Sequence, residues 1–457
     1  MRASSSRAEL GADMGSTGKK TALVDADVAG APSIADITDS YLYLLGRLLV
    51  LQQEHVDFRA LGLKWNTVIH RPLGPDGSAN PNLDLATSDA WIAVDDRSCT
   101  VIDVPTITGR YYTIQILDMW GETVANINER TYPTHPAGSF LVCPKGARVT
   151  LPSGSTTERI DLPGNKARVH AHIALGHDAT EAVALQQRIR VRATGTPHIA
   201  APVAIPSFTS GSLPGVEAFE TAMDVLATEP DTHPAAEILR GKVRTVAAAA
   251  SASEAERQRI DAVIRQRAIS ALRRHVSGMG LMGNGWVRRR HAGTYHDAWH
   301  MRTVANLTDM WANHHTELAS FENGMTQPLN GRHTYTMRFS KDDFPDSHVK
   351  YFWSLTCVDG TNLRVVANAQ KRCVLNSHSR LEPASDGSLT LYLAPHKPSH
   401  APEPNWLPTP IGQSYVLTWR SYGPDPATLS GRWFPPAITR GFAHRSRKKD
   451  ADDPDGE

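Results

Sequence analysis

The sequence predicts a mainly β protein in which two sandwiches are joined by a helical segment. Three observations carry that expectation. Between Trp65 and Ala193, short β-branched and aromatic runs recur with Pro, Gly, Asn and Asp between them roughly every 8–15 residues. That is the texture of antiparallel strands, not of alternating strand–helix units. From Val216 to Ser277 the chain turns to Ala, Glu, Arg and Leu with helical spacing, and from Gly331 to Trp433 strand texture returns.

Taken in order, Ile34 to Leu63 places Ile34, Ile37, Tyr41, Leu44, Leu45, Leu48 and Leu51 on one helical stripe, so a packed helix is expected first. Strands are expected at Ala90–Val94, Cys99–Val104, Tyr111–Leu117, Ser139–Val142 and Arg168–Ala174, then a helix at Ala179–Ile189. Pro197 to Gly215, rich in Pro, Ser and Gly, reads as a boundary. Apolar positions Ile238, Val243 and Val246, then Ile260, Val263, Ile264, Ile269 and Leu272, predict two or three helices, and Tyr295–Ser320 another. Strands follow at Thr334–Phe339, Tyr351–Cys357, Leu363–Val366, Ser388–Leu393 and Ser414–Trp419. The expected organisation is a tail over 1–34, a helix plus sandwich over 35–200, a helical connection over 201–325, a second sandwich over 326–440 and a charged tail over 441–457.

Composition narrows the function classes. Over 457 residues, 48 Lys and Arg balance 47 Asp and Glu, a net charge of +1. Such a balance does not suit the neutralisation of a phosphate backbone, so no nucleic-acid partner is expected. Apolar runs such as Val246–Ala250 fall far short of the about 18 residues a membrane span needs. The four cysteines, Cys99, Cys143, Cys357 and Cys373, form no CxxC pair and read as small buried or half-buried thiols. No apolar signal core follows the first charges, so a cytoplasmic location is expected.

Several residue patterns carry candidate chemistry. His170 and His172, two apart on a strand, point to one face and could share a divalent ion, and Gly164 precedes them as in half of a cupin motif. His296 and His300 have the i, i+4 spacing of two ligands on one helix face. Asp84 and Asp118, with Arg110 and Arg130, suit a polar cleft and paired-carboxylate work. Asn405 and Trp406 sit among Pro398, Pro402, Pro404, Pro408 and Pro410, a stiff loop suited to an aromatic platform, with Arg420 and Tyr422 on the following strand. The plain alternative for Trp406 is a plug closing one end of a sandwich. No GxSxG, P-loop, GxGxxG or HExxH pattern occurs.

The motifs Phe352-Trp353-Ser354-Leu355, Asp386-Gly387-Ser388-Leu389, Asn405-Trp406-Leu407-Pro408-Thr409-Pro410, Arg420-Ser421-Tyr422 and Trp433-Phe434-Pro435-Pro436 occur in the order and spacing of the bacterial DUF1214 domain, which this half resembles. Gly285-Trp286, Gly293-Thr294-Tyr295, Arg302 and Gly331-Arg332-His333-Thr334-Tyr335 are similar to it too. The first half resembles the partner domain DUF1254 through Asn82-Leu83-Asp84, Val104-Pro105, Gly109-Arg110-Tyr111-Tyr112, Asp118-Met119-Trp120, Gly138 and Pro144-Lys145-Gly146. Leu85-Ala86-Thr87 departs from the Thr-Leu-Tyr usual after that Asp. The resemblance implies an immunoglobulin-like sandwich, a helical segment and a jelly roll, and assigns no activity.

The leading expectation is a module that binds a carbohydrate or another small polar-aromatic molecule between the domains, using Asn405, Trp406, Arg420, Tyr422, Arg302 and Asp84. A metal-dependent hydrolase or cupin-like oxygenase built on His170 with His172, or His296 with His300, competes with it; no cofactor is expected beyond such a divalent metal. A structural protein without a small ligand, and self-association, complete the expectations.

Overall fold

The computed structural model describes residues 27–441 apart from 76, 78, 150–155, 279 and 325–327. The expected tails fall outside these residues except for 27–34 and Gly441, and Ser33 there already caps the first helix. Helix α1 (Ile34–Ala60) begins where the Ser33 hydroxyl accepts the Asp36 amide at 3.0 Å.

The N-terminal sandwich is built from β1 (Ile69–His70), β2 (Leu85–Ala93), β3 (Thr100–Val104), β4 (Tyr112–Leu117), β5 (Thr123–Ile127), β6 (Gly138–Pro144), β7 (Glu158–Leu162), β8 (Lys166–Ala174) and β9 (Arg190–Ala193), with α2 (Ala179–Gln186) before the last strand. One sheet, called sheet 1, runs β1-β2-β8-β4-β5, and the opposing sheet runs β7-β6-β3-β9. Every second residue of sheet 1 turns inward, so Ala86, Ala90 and Ile92 meet Tyr112, Ile114, Ile116, Val169 and Ile173 in one apolar core with Ile102, Phe140 and Val142.

A helical layer follows: α3 (Ala222–Ala227), α4 (Ala236–Ala252), α5 (Glu254–Val263) and, through a π turn, α6 (Ile269–Gly278), with α7 (Trp299–Thr308) after two short strands. All of these pack around α1, whose residues Ser40–Leu51 are buried on every side. Such a helix holds its place by packing, because burial all round leaves it no solvent face. On α4, Val243 and Val246 are buried as expected, but Ile238 stands out in solvent at 69% exposure and Leu239 takes its place in the core.

The C-terminal sandwich comprises β10 (Gly280–Gly283), β11 (Trp286–Arg289), β12 (Leu318–Glu322), β13 (Leu329–Asn330), β14 (Tyr335–Phe339), β15 (Val349–Asp359), β16 (Val374–Asn376), β17 (Leu389–Ala394), β18 (Trp406–Pro408), β19 (Ser414–Pro424) and β20 (Thr439–Arg440), with the short α8 (Pro426–Ser430). Sheet 3 runs β10-β11-β12-β19-β15-β16, with β13 also on β19, and faces β18-β17-β14-β20. Trp353 and Trp419 stack at 4.5 Å between the two sheets, the centre of a core with Trp286, Phe339 and Leu417. Gly331 lets the chain turn tightly there, since a Cβ would lie 1.6 Å from the Pro410 carbonyl oxygen.

Three expectations fail locally. The C-terminal sheet begins at residue 280, not 326, because β10, β11 and β12 pair onward to β19. The helix expected over Tyr295–Ser320 is cut to Trp299–Thr308: His296 and Trp311 take left-handed φ values of 46° and 69°, and residues 318–322 alternate in burial as a strand. Leu363–Val366 makes only the Val358–Val365 bridge, with Leu363 left-handed at φ 57°.

The reading of all four cysteines as thiols also fails. Cys99 and Cys143, directly opposite where β3 and β6 meet, form a disulfide with Cα atoms 4.7 Å apart. Cys357 and Cys373 are free. Among the described residues, no helix is long and apolar enough to cross a membrane.

Candidate functional site

The face of sheet 1 turned away from its own core is polar yet mostly buried. Pairing places its side chains in rows across β2, β8 and β4: Leu85–Ala174, then Thr87–His172–Thr113, then Asp89–His170–Gln115, then Trp91–Arg168–Leu117. The first row, with Tyr111, meets Phe352 and Tyr422 of sheet 3, with Leu318 and Tyr351 beside them, as an apolar seam. Phe352 and Tyr422 stack there at 4.0 Å. The connection from α7 to β12 crosses the deeper rows: the Gln115 amide donates to the Ala312 carbonyl at 3.1 Å, and the Arg168 guanidinium lies 5.9 Å from the Trp311 ring.

Asp89 organises the third row. Its carboxylate accepts His170 Nδ1 at 2.6 Å and pairs with Arg168 at 3.0 Å and Arg71 at 2.7 Å. Burial alone would raise this carboxyl, but the charges of Arg168, His170 and Arg71 outweigh it and hold Asp89 well below the usual range. Arg168 also reaches Asp57 at 3.3 Å, which accepts the Trp91 indole N–H at 2.8 Å. A carboxylate on Nδ1 fixes the tautomer and ring angle of His170 and leaves Nε2 free to act, with 21% of the side chain exposed.

His172 is the exception on this face. Its ring lies 4.3 Å from that of His170, and no hydrogen-bond partner for it is found among the described residues. It keeps some exposed surface, yet desolvation first and the neighbouring His170 charge second hold its pKa well below 6.5, so it is neutral at pH 7. Its row neighbour Thr113 is engaged with Asn126 and Asn128, while Thr87 on the other side is half-buried. Further along, Glu317 accepts Asn128 at 3.2 Å and pairs with Arg130, whose guanidinium lies over the Tyr111 and Tyr351 rings.

The residues expected from the sequence are divided among three places. Asp84, Arg420 and Tyr422 do converge, at the joint between the sandwiches. Residues 80–84 lie as a strap on the outer face of sheet 3, where Arg420 donates to the Asn80 carbonyl at 2.7 Å and to Thr356 at 3.1 Å. Asn82 donates to the Tyr422 hydroxyl at 2.6 Å and Asn376 to Asp84 at 2.9 Å. Burial raises the Asp84 carboxyl, only partly offset by Asn376, Ser354 and the Arg420 charge. At the edge of this joint His378 and His177 approach to 3.2 Å. These groups tie the domains together.

Asn405 and Trp406 are elsewhere and serve closure: Asn405 donates to the Glu382 and Thr390 carbonyls, and the Trp406 indole donates to the Ala394 carbonyl at 2.9 Å with the side chain buried. Trp406 is therefore the plug and not a platform. Arg302 belongs to the helical layer. It forms a two-pronged pair with Asp231 at 2.9 and 2.7 Å, lies 3.5 Å from Glu122 and 4.8 Å over the Trp120 ring. Asp118 caps the Trp120 and Glu122 amides, at the opposite end of sheet 1 from Asp84 by register. Arg110 and Glu181 pair on the surface side of β8, and Arg110 also holds the Ala174 and Leu175 carbonyls.

Of the histidine pairs, His170 and His172 do share a face, whereas His296 precedes α7 and His300 stacks instead on His275 at 4.3 Å. The helix-face pairing of His296 with His300 thus fails because that helix starts three residues later. Among the described residues, no group of three His, Cys, Asp or Glu side chains is arranged to hold a metal ion. Sequence reasoning missed Thr87, Asp89, Thr113 and Gln115. The signal was present: Thr87/Asp89, Thr113/Gln115 and His170/His172 each put polar groups two apart, on one face of a strand.

Two sandwiches sharing a polar joint, with a helical layer packed against them, define the class of protein. Within it, the chain belongs to the proteins that combine DUF1254 and DUF1214, both described as domains of unknown function. The DUF1254 model matches residues 65–193 and the DUF1214 model residues 315–426. The VPA0106 protein from Vibrio parahaemolyticus, known from a crystal structure, is similar over 90% of this chain and 100% of its own, at 19% identity and a TM-score of 0.67. A putative uncharacterized protein from Burkholderia cenocepacia aligns over 86% of this chain and 92% of its own, at 10% identity and a TM-score of 0.39. No curated protein matches.

Proposed function

We propose that the chain binds a small, neutral, hydroxyl-rich molecule, of the sugar or polyol type, on the polar face of sheet 1 between the two sandwiches. The observation that carries this reading is His172, an imidazole without a hydrogen-bond partner among the described residues, on a face whose other polar groups are largely paired. The charges of that face cancel within it, Asp89 against Arg168 and Arg71, and Asp57 against Arg168. What remains on offer is the neutral His172 ring, the second nitrogen of His170 and the Thr87 hydroxyl. Such groups donate and accept, as hydroxyls do.

A panel of monosaccharides and polyols, followed by melting temperature and calorimetric titration, tests the reading. At least one compound should raise the melting temperature, and His172→Ala should abolish that rise while keeping the unliganded melting temperature within a few degrees. A panel without any effect, or a rise unchanged in the variant, overturns it. A second reading keeps the face but places a divalent metal on His170 and His172, because a carboxylate on Nδ1 is the usual support of a metal-bound imidazole. Elemental analysis after reconstitution separates the two, near one equivalent of metal favouring the second.

The same line of proposal covers location. Disulfides persist in oxidising compartments and are rare where thiols are kept reduced. The Cys99–Cys143 bond supports an extracytoplasmic location over the cytoplasmic one expected from the N-terminal composition.

A further inference from the structure

We propose that Cys357 and Cys373 are a second redox pair, open in the reduced protein and able to close to a disulfide at the expense of a small-molecule or protein disulfide. The ladder between β15 and β16 pairs Ser354 with Asn376, Leu355 with Leu375 and Thr356 with Val374. Continued by one residue, it sets Cys357 directly opposite Cys373, and the Cys357 amide does donate to the Cys373 carbonyl at 3.0 Å. Directly opposed, hydrogen-bonded residues lie about 5.5 Å apart at Cα, within the span a disulfide bridges. Their Cβ atoms sit about 1 Å wider than the bond prefers. β16 is three residues long and the chain before it, from Val366 to Arg372, is a loop, so the adjustment falls at a free strand end.

The same fold provides its own control. Cys99 and Cys143 are also directly opposed between β3 and β6, at a pair not hydrogen-bonded across the ladder that brings the Cα atoms to 4.7 Å, and there the bond is closed. The two pairs differ in surroundings. Cys99 and Cys143 are both fully buried, whereas Cys357 is buried and Cys373 is half-buried. Cys357, Cys373, Val366, Asn368, His396 and Thr409 share the wall of a hollow of about 480 Å³ between the proline-rich loop and the 366–373 loop. A reagent entering that hollow meets the half-buried Cys373 first, with the buried Cys357 behind it.

The chemistry balances as thiol–disulfide exchange. The Cys373 thiolate attacks one sulfur of the incoming disulfide, forming a mixed disulfide and releasing the other half as a thiolate. The Cys357 thiolate then attacks Cys373 Sγ, closes the protein disulfide and releases the second half. Two protons leave the two protein thiols, and the incoming disulfide takes up the electron pair. Cys373 is the entry point, because it is the more accessible and its sulfur is met by the Asn368 amide at 3.6 Å. Burial raises both thiols above the ordinary range, so exchange quickens at alkaline pH. Closure pins the 366–373 loop to β15 and makes the wall of the hollow sensitive to oxidation. Geometric misfit makes the new bond easier to reduce than Cys99–Cys143.

The test uses the full chain, reduced mildly, incubated with oxidised glutathione at pH 8, alkylated, digested without reductant and read by mass spectrometry. The expected result is a Cys357–Cys373 linked peptide, loss of both alkylatable thiols and no retained glutathione. Graded dithiothreitol should then open this bond before Cys99–Cys143. Cys357→Ser should leave Cys373 as a stable glutathione adduct, and Cys373→Ser should leave Cys357 unmodified. Wild-type protein that keeps glutathione on Cys373, or whose two thiols remain alkylatable at equilibrium, overturns the proposal even if neither variant folds.

Discussion

Replacing Asp231 with Ala exposes what holds the helical layer to the N-terminal sandwich. Arg302 is 2% exposed, and its guanidinium is held by both Asp231 oxygens while lying over the Trp120 ring. Asp231 accepts the Tyr43 hydroxyl at 2.8 Å as well, so one carboxylate serves α1 and α7 together. Burial works against its charge, but the Arg302 hydrogen bonds and charge outweigh burial and keep it ionised. Removing one partner of such a pair leaves an uncompensated buried charge and costs about 3–5 kcal/mol. Removing both with an apolar replacement costs far less, because no charge is then stranded. Urea unfolding of wild type, Asp231→Ala, Arg302→Met and the double variant gives the cycle. The double variant should be more stable than Asp231→Ala, with a coupling of about 2 kcal/mol or more between the sites. A single variant within about 1 kcal/mol of wild type, or strictly additive losses, would refute the argument that Arg302 depends on Asp231.

Two further outcomes follow from named groups. Burial first, and Asp118 beside it, push Glu122 up to about 7 from its ordinary 4.5 in spite of Arg302. The folded state therefore holds this proton more tightly than the unfolded chain; the stabilisation is full below about pH 4.5 and is lost as pH rises to about 7, at up to about 1.4 kcal/mol per pH unit. Glu122→Gln should remove that slope, so the stability difference between variant and wild type grows in favour of Gln across the window; a difference independent of pH would sink the assignment. Reduction of Cys99–Cys143, which closes a separation of 44 residues, should cost about 4 kcal/mol by chain entropy, read as lower denaturant resistance of the N-terminal sandwich in dithiothreitol. An unchanged midpoint in the Cys99→Ser/Cys143→Ser variant would contradict it.

Much of the architecture is legible in the sequence, because alternation and turn residues are local. The two sandwiches and α1 follow from patterns a few residues wide. The errors sit where local pattern is ambiguous. Leu318–Glu322 reads equally as the end of a helix until β19 supplies hydrogen-bond partners. The candidate site was half legible. His170 and His172 share a face by period alone, but Asp89 and Thr87 join them only through a register that no single segment determines. The Cys99–Cys143 bond is hidden for the same reason, since only the β3–β6 ladder brings positions 44 apart face to face. Trp406 misleads because a stiff loop looks alike whether it presents a ring to a ligand or stoppers its own barrel end.

The strap over residues 80–84 has a consequence for the order in which the molecule is made. Asn80, Asn82 and Asp84 leave the ribosome long before Asn376, Arg420 and Tyr422, their eventual partners. At synthesis rates of about 5–20 residues per second, the strap waits tens of seconds without its receiving surface. The first sandwich can assemble alone in that interval, but its final closure is postponed until nearly the whole chain exists. A truncation before residue 420 would leave Asn80 and Asn82 without the Arg420 and Tyr422 groups that receive them, and the cell would meet it as an unfinished protein.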